Sequence, residues 1–150
     1  MQLLPVSHYP QRQQSECLAA CAAMVLDYLQ VPSDYRNLLK LLRIKSAGAP
    51  FRNLRYLKSL GVSVLIERGD IETLSVHLDR GLPPICFVAT RYLSYWDEET
   101  GHAVVVVGLE GDRIHLSDPR FPDAPKVIPV DEFELAWIDL DQFYALVTLE

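Results

Sequence analysis

Several common features are missing from this chain, and each absence removes a class of protein. The longest apolar runs, "LAACAAMVL" and "AVVVVGL", fall short of the ~18 residues that a membrane-spanning helix requires. The opening "MQLLPVSHYPQRQQ" carries no basic stretch, and Pro5 interrupts its apolar part. It does not read as a secretory signal, so the cytoplasm is the expected compartment. Cysteine is scarce: three residues, an odd number without tight spacing, fit a reducing environment better than a disulfide scaffold. Positive charge is scarce as well. A net charge of −6 without a basic patch argues against a binder of phosphate backbones. Peptides, proteins or small molecules are the expected partners, and nucleic acid is not. No repeat, linker or low-complexity segment marks a boundary, so residues 1–150 are expected to form one domain, able to bury roughly 68–70% of its unfolded surface. A hydrophobic content of 49% excludes wholesale disorder.

The residues present change their periodicity midway. From 17 to about 29 the chain is apolar on nearly every side, with Asp27 the one charge, which predicts a helix buried at the centre of the domain behind a cap region at Ser15 and Glu16. Val31-Pro32 breaks it. Ser33 is positioned to cap a second helix, "DYRNLLKLLR", with Leu38, Leu39, Leu41 and Leu42 inward. A third, "FRNLRYLKSL", stops at Gly61. "VSVLIE" then reads as a strand, "DIETLSVHLDR" as a helix closed by Gly81, and "PPICFVAT" as a buried strand. "HAVVVVGL" and "RIHLSD" flank a hairpin turn, followed by a short strand at 126–128, a turn of helix in "DEFELAW" and a last strand, "FYALVTL". This order predicts an α+β domain, a helical layer packed on an antiparallel sheet.

Chemistry is most readily placed at "QRQQSECLAAC". A thiol in the first turn of a helix is acidified by the unsatisfied amides, more so beside a histidine. Cys17 has that position. Cys21 lies a turn deeper, and Cys86 is flanked by Ile85 and Phe87 on a core strand, so both read as packing. Of His8, His77, His102 and His115, only His102 stands at the mouth of an apolar strand, after Gly101, where an imidazole can project into a cleft. Asp118, in "LSDPRF", is the candidate to hold that ring. If Leu109 faces Arg113 across a three-residue turn, Asp118 faces Val104 and shares a face with His102, whereas a two-residue turn puts it on the other face. The pairing therefore requires the longer turn or an equivalent bulge. An oxyanion donor would come from the Cys17 backbone and one of Gln11, Gln13 or Gln14, among which spacing does not choose. Tyr92, Tyr95 and Trp96 are positioned to form an aromatic rim.

With these residues in place the chain resembles the bacteriocin-processing cysteine peptidases, the double-glycine leader endopeptidases often fused to peptide-exporting ABC transporters. "Q-x5-E-C-x3-C" at 11–21, "LKSLGVSV", "LPPICFVA", "GHAVVVVG", "SDPRF" and "PVDEFELAW" carry the resemblance in order along the chain. It implies a papain-like fold, Cys17 as nucleophile, His102 as general base, Asp118 as its orienting acid and Gln11 as oxyanion donor. No cofactor and no metal are expected. The chain ends at Glu150 without a transporter, and the expectation is a stand-alone peptidase domain. Glu16 and Leu18 replace the aspartate and glycine that usually flank the family's cysteine, and the bulk of Leu18 bears on double-glycine specificity. A non-catalytic papain-like module binding a peptide or protein, and the same residues used for amide hydrolysis or acyl transfer, are the alternatives. A metal site on Cys17, Cys21 and His102 lacks a second ligand pair at zinc spacing.

Overall fold

The apolar run after Cys17 becomes helix α1, Cys17–Tyr28, with Ala19, Ala20, Cys21, Ala22, Met24, Val25 and Leu26 almost completely enclosed. The computed structural model describes residues 3–150. Neither Ser15 nor Glu16 caps α1 through its side chain. A 3₁₀ turn, Gln14–Glu16, leads into the helix, and the Glu16 carboxylate instead accepts a bond from the Tyr35 hydroxyl at 2.8 Å. The second helix, α2, is Tyr35–Leu41, begins at Asp34 rather than Ser33 and also lacks a side-chain cap. Residues Phe51–Leu60 wind as a 3₁₀ helix and end at Gly61, whose φ of 86° is the left-handed conformation that glycine adopts without strain.

Among the described residues six strands form one antiparallel sheet: β1 Val62–Arg68, β2 Ile85–Ala89, β3 Gly101–Glu110, β4 Arg113–Ser117, β5 Lys126–Pro129 and β6 Phe143–Leu149, in the order β1-β6-β2-β3-β4-β5. Helix α3, Ile71–Asp79, follows β1 and starts with a reciprocal capping box between Asp70 and Thr73. Helix α4, Val130–Ile138, precedes β6.

The expected α+β arrangement is present, with one difference: helices cover both faces of the sheet. Ala103, Val105 and Val107 pack against α1, α2 and the 51–60 helix, while Val104 and Val106 join Leu74, Leu78, Phe133 and Trp137 of α3 and α4 on the other side. The unbroken valines of β3 are the sequence form of a strand buried on both faces. Among the described residues no helix is long and apolar enough to cross a membrane.

The β3–β4 hairpin resolves the register question. Glu110 pairs with Arg113 across a two-residue turn, Gly111-Asp112, with Gly111 at φ 61°, and Gly108 pairs with His115. That register would turn Asp118 away from His102. A bulge at Val107 then shifts the pairing, so that Val106 faces Leu116 and Val105 faces Ser117. The next step along the same register sets Asp118 beside Val104, on the face of His102. The turn is shorter than the three residues considered above, and the bulge supplies the missing residue.

Trp137 joins α4 to the sheet: it is fully enclosed, and its indole N–H donates to the Phe143 carbonyl at 2.8 Å. Trp137→Ala should therefore cost about 3–5 kcal/mol of stability in urea unfolding, most of it from the cavity. A loss below about 1 kcal/mol would contradict this packing.

Candidate functional site

Cys17 is the first residue of α1 and is only partly exposed. It lies on a cleft of about 300 Å³ whose walls include Gln11, Gln14, Leu18, Phe87, Trp96 and His102. His102 is the second residue of β3 and is 2% exposed; its Nε2 is 2.7 Å from Asp118 Oδ1. That bond leaves Nδ1 as the ring nitrogen for the thiol. Gly101 allows the strand to begin here, because a Cβ at this position would stand 2.8 Å from the Phe87 ring.

The electrostatics follow from these contacts. Burial alone would raise the Cys17 thiol, but the hydrogen bond and charge of the His102 imidazolium, with the Ala103 backbone, hold it below its ordinary value. Burial would lower His102, yet its bonds to Asp118 and Cys17 raise it to about 9. Burial would likewise raise Asp118, and the bonds from His102, Trp96 and the Arg120 backbone keep it below the usual carboxylate range. A lowered thiol beside a raised imidazole is the condition for a thiolate–imidazolium pair.

Cys21 has the opposite environment. Its thiol is fully enclosed and donates to the Ala103 carbonyl at 3.4 Å, and burial, reinforced by the nearby Cys17, pushes it well up. Burial does the same to Cys86.

Gln11 and Gln14 both line the cleft. Gln11 is tied down twice: its backbone N–H donates to the Pro119 carbonyl at 2.7 Å, and its side-chain Nε2 donates to the carbonyls of Gln13 and Gln14 at 3.0 and 3.2 Å. The other histidines lie elsewhere. His8 holds the loop after β4, with Nδ1 2.6 Å from Ser117 Oγ and Nε2 donating to the Phe121 carbonyl at 2.7 Å. His77 meets the Tyr144 hydroxyl, and His115 stays on β4 opposite Gly108.

The aromatic segment ahead of β3 divides. Trp96 lines the cleft as a rim residue, while Tyr92 bonds Arg91 away from it. Tyr95 and the Trp96 indole both turn onto Asp118 Oδ2, donating at 2.7 and 2.9 Å. Sequence reasoning did not foresee these contacts or the Arg120 N–H on Oδ1 at 3.0 Å. Aromatics close before the histidine strand were the available signal, read only as a rim.

Solved structures share this fold. One, from Bacillus anthracis and described as a C39-like peptidase, superposes with a TM-score of 0.82 at 15% identity, over 100% of this chain and 98% of that one. A double glycine motif protease from an AMS/PCAT transporter, in complex with its leader peptide, gives 0.77 at 20% identity over 98% and 94%. The peptidase domain of Streptococcus ComA, a bifunctional ABC transporter, gives 0.79 at 18% identity over 97% and 99%. No curated protein matches the chain by sequence. The sequence pattern of the Peptidase C39 family, however, matches residues 6–143, a span that takes in the cysteine helix, the histidine strand and the aspartate loop. On that match the chain belongs to the Peptidase C39 family.

Proposed function

We propose that the chain is a cysteine endopeptidase acting through Cys17, His102 and Asp118, and that its substrates are peptides bearing a leader segment. The observation that carries this reading is the alignment of a lowered thiol at an open cleft, a raised imidazole and a buried carboxylate at 2.7 Å from that imidazole. In the proposed reaction the Cys17 thiolate attacks the scissile carbonyl carbon, and a C–S bond forms as the carbonyl electron pair moves onto oxygen. The Cys17 backbone N–H and the Gln11 amide hold the oxyanion. Gln11 does so by giving up its longer bond, at 3.2 Å to Gln14. The tetrahedral centre collapses, the C–N bond breaks and His102 delivers its proton to the leaving amine. Water, deprotonated by the now neutral His102, then attacks the acyl carbon, and cleavage of the C–S bond restores the thiolate.

Leader recognition rests on the family and on a solved relative that carries its leader peptide. Leu18 adds a limit. It is 3% exposed and forms part of the cleft wall beside Cys17, and its bulk in place of the family's usual glycine weighs against strict double-glycine specificity.

Incubation of the purified chain with peptides encoded beside its gene, read by mass spectrometry, should give a single internal cut. Cys17→Ala should abolish it. The same cut by the alanine variant would refute the assignment of Cys17.

The reactive form needs Cys17 deprotonated and His102 protonated, so it accumulates as pH rises through the lowered thiol value and is lost as pH rises through about 9. kcat/KM should therefore follow a bell whose acid limb lies below the ordinary thiol range near ~8.5 and whose alkaline limb falls near the imidazole value, both belonging to the coupled pair. An acid limb at the ordinary thiol value would be incompatible with the ion pair.

A further inference from the structure

Asp118 is fully enclosed, with 0% of its surface exposed. Water does not solvate its charge, so protein donors must do so. Among the described residues four donors reach it: His102 Nε2 and the Arg120 N–H on Oδ1, and the Tyr95 hydroxyl and Trp96 Nε1 on Oδ2. Two of the four come from consecutive side chains of one loop, and both engage the oxygen that His102 does not use. Trp96 also sets its ring at 62° to the His102 imidazole, with centroids 4.7 Å apart, so one side chain touches both members of the pair.

We propose that Tyr95 and Trp96 are positioning residues of the active site, which keep Asp118 ionised and orient His102 toward Cys17. This rests on the reading of Cys17, His102 and Asp118 given above. The two donors act in place of solvent. A carboxylate without them, in a site closed to water, gains by taking up a proton; His102 then loses its counter-charge and the thiol returns toward its ordinary range. Burial and the adjacent Asp118 charge both raise Tyr95, so its hydroxyl stays protonated as a donor.

The other charges around this cluster lie outside the rings. Arg120 stands 5.8 Å from the Trp96 ring and pairs with Glu98 at 3.4 Å. Lys126 stands 5.7 Å from the Tyr95 ring, and Glu132 accepts from Ser94. None of these is a side-chain bonding partner of Asp118, and the Arg120 contact to it is through the backbone.

Iodoacetamide labelling of Cys17 as a function of pH, followed by peptide mass spectrometry on the full chain, reads the thiol without a substrate. Tyr95→Phe and Trp96→Phe each remove one donor and keep most of the ring. Each should move the labelling midpoint up toward the ordinary thiol range and slow labelling near neutral pH about tenfold, the scale of one lost charge-assisted bond. Phe121→Leu is the packing control, because Phe121 sets its ring edge against both Tyr95 and Trp96, at 5.3 and 5.5 Å, and its side chain donates nothing to Asp118. It should leave the midpoint in place, and circular dichroism checks that all three variants fold.

A lowered wild-type midpoint that neither donor variant moves would overturn the role of the two rings and leave the catalytic reading standing. An equal shift in Phe121→Leu would reduce that role to packing and overturn it too. A wild-type midpoint in the ordinary thiol range would overturn the ion pair, and the positioning role with it.

Discussion

The constraint on which the rest depends is the charge of Asp118 in a place with no water. An isolated buried carboxylate costs several kcal/mol, and only well-placed donors offset that cost. Those donors come from separate parts of the chain: His102 on β3, Tyr95 and Trp96 on the loop before it, and the Arg120 backbone on the carboxylate's own loop. The carboxylate thereby fixes where β3 begins, how the 90–100 loop folds back and how the chain leaves β4. A structural requirement, satisfying one ion, arranges most of one wall of the cleft.

Meeting that requirement depends on the register of β3 against β4. Without the bulge at Val107, Asp118 would sit on the face of Ala103 and Val105, where α1 packs and a charge would find no partner. The bulge frees a carbonyl, and the N-terminal segment takes it up: Leu4 N–H donates to the Val107 carbonyl at 2.8 Å. The same segment continues through His8, bound to Ser117 and Phe121, to Gln11, bound to Pro119. One extended stretch thus supports the bulge, holds the loop of Asp118 and delivers Gln11 to the cleft.

Much of this was legible in the sequence where periodicity was strong. The buried cysteine helix, the α3 helix with Leu74 and Leu78 inward, and the order of the later strands all follow from apolar spacing and turn residues. Cys17, His102 and Asp118 stood out as candidates because each sits at the end of an element, where a side chain can leave the core, and the structure sets Cys17 and His102 on one cleft with Asp118 bonded to the imidazole. The misses have physical causes. Four consecutive valines carry no alternation, so parity could state the need for a bulge but could not place it. Ser15 and Ser33 are good capping types, yet tertiary bonds and a 3₁₀ turn gave the helix starts to other residues. Tyr95 and Trp96 meet Asp118 across more than twenty positions, from a loop without a period, and no local pattern encodes such a contact.

Cys17 and Cys21 show how little distance separates a thiol held below its ordinary value from one pushed well above it. They are the same residue type, one turn apart on one helix, and burial pushes both thiols upward. What differs is the partner: Cys17 meets the imidazole at the rim of the sheet, whereas Cys21 meets only the Ala103 carbonyl inside it. The helix has no freedom to exchange them, since Ala19, Ala20 and Ala22 are at most 1% exposed and pack too closely for rotation. The apolar run that looks like plain core in the sequence therefore has a chemical consequence: it locks α1 in the one orientation that presents Cys17, with Leu18 beside it, to the cleft.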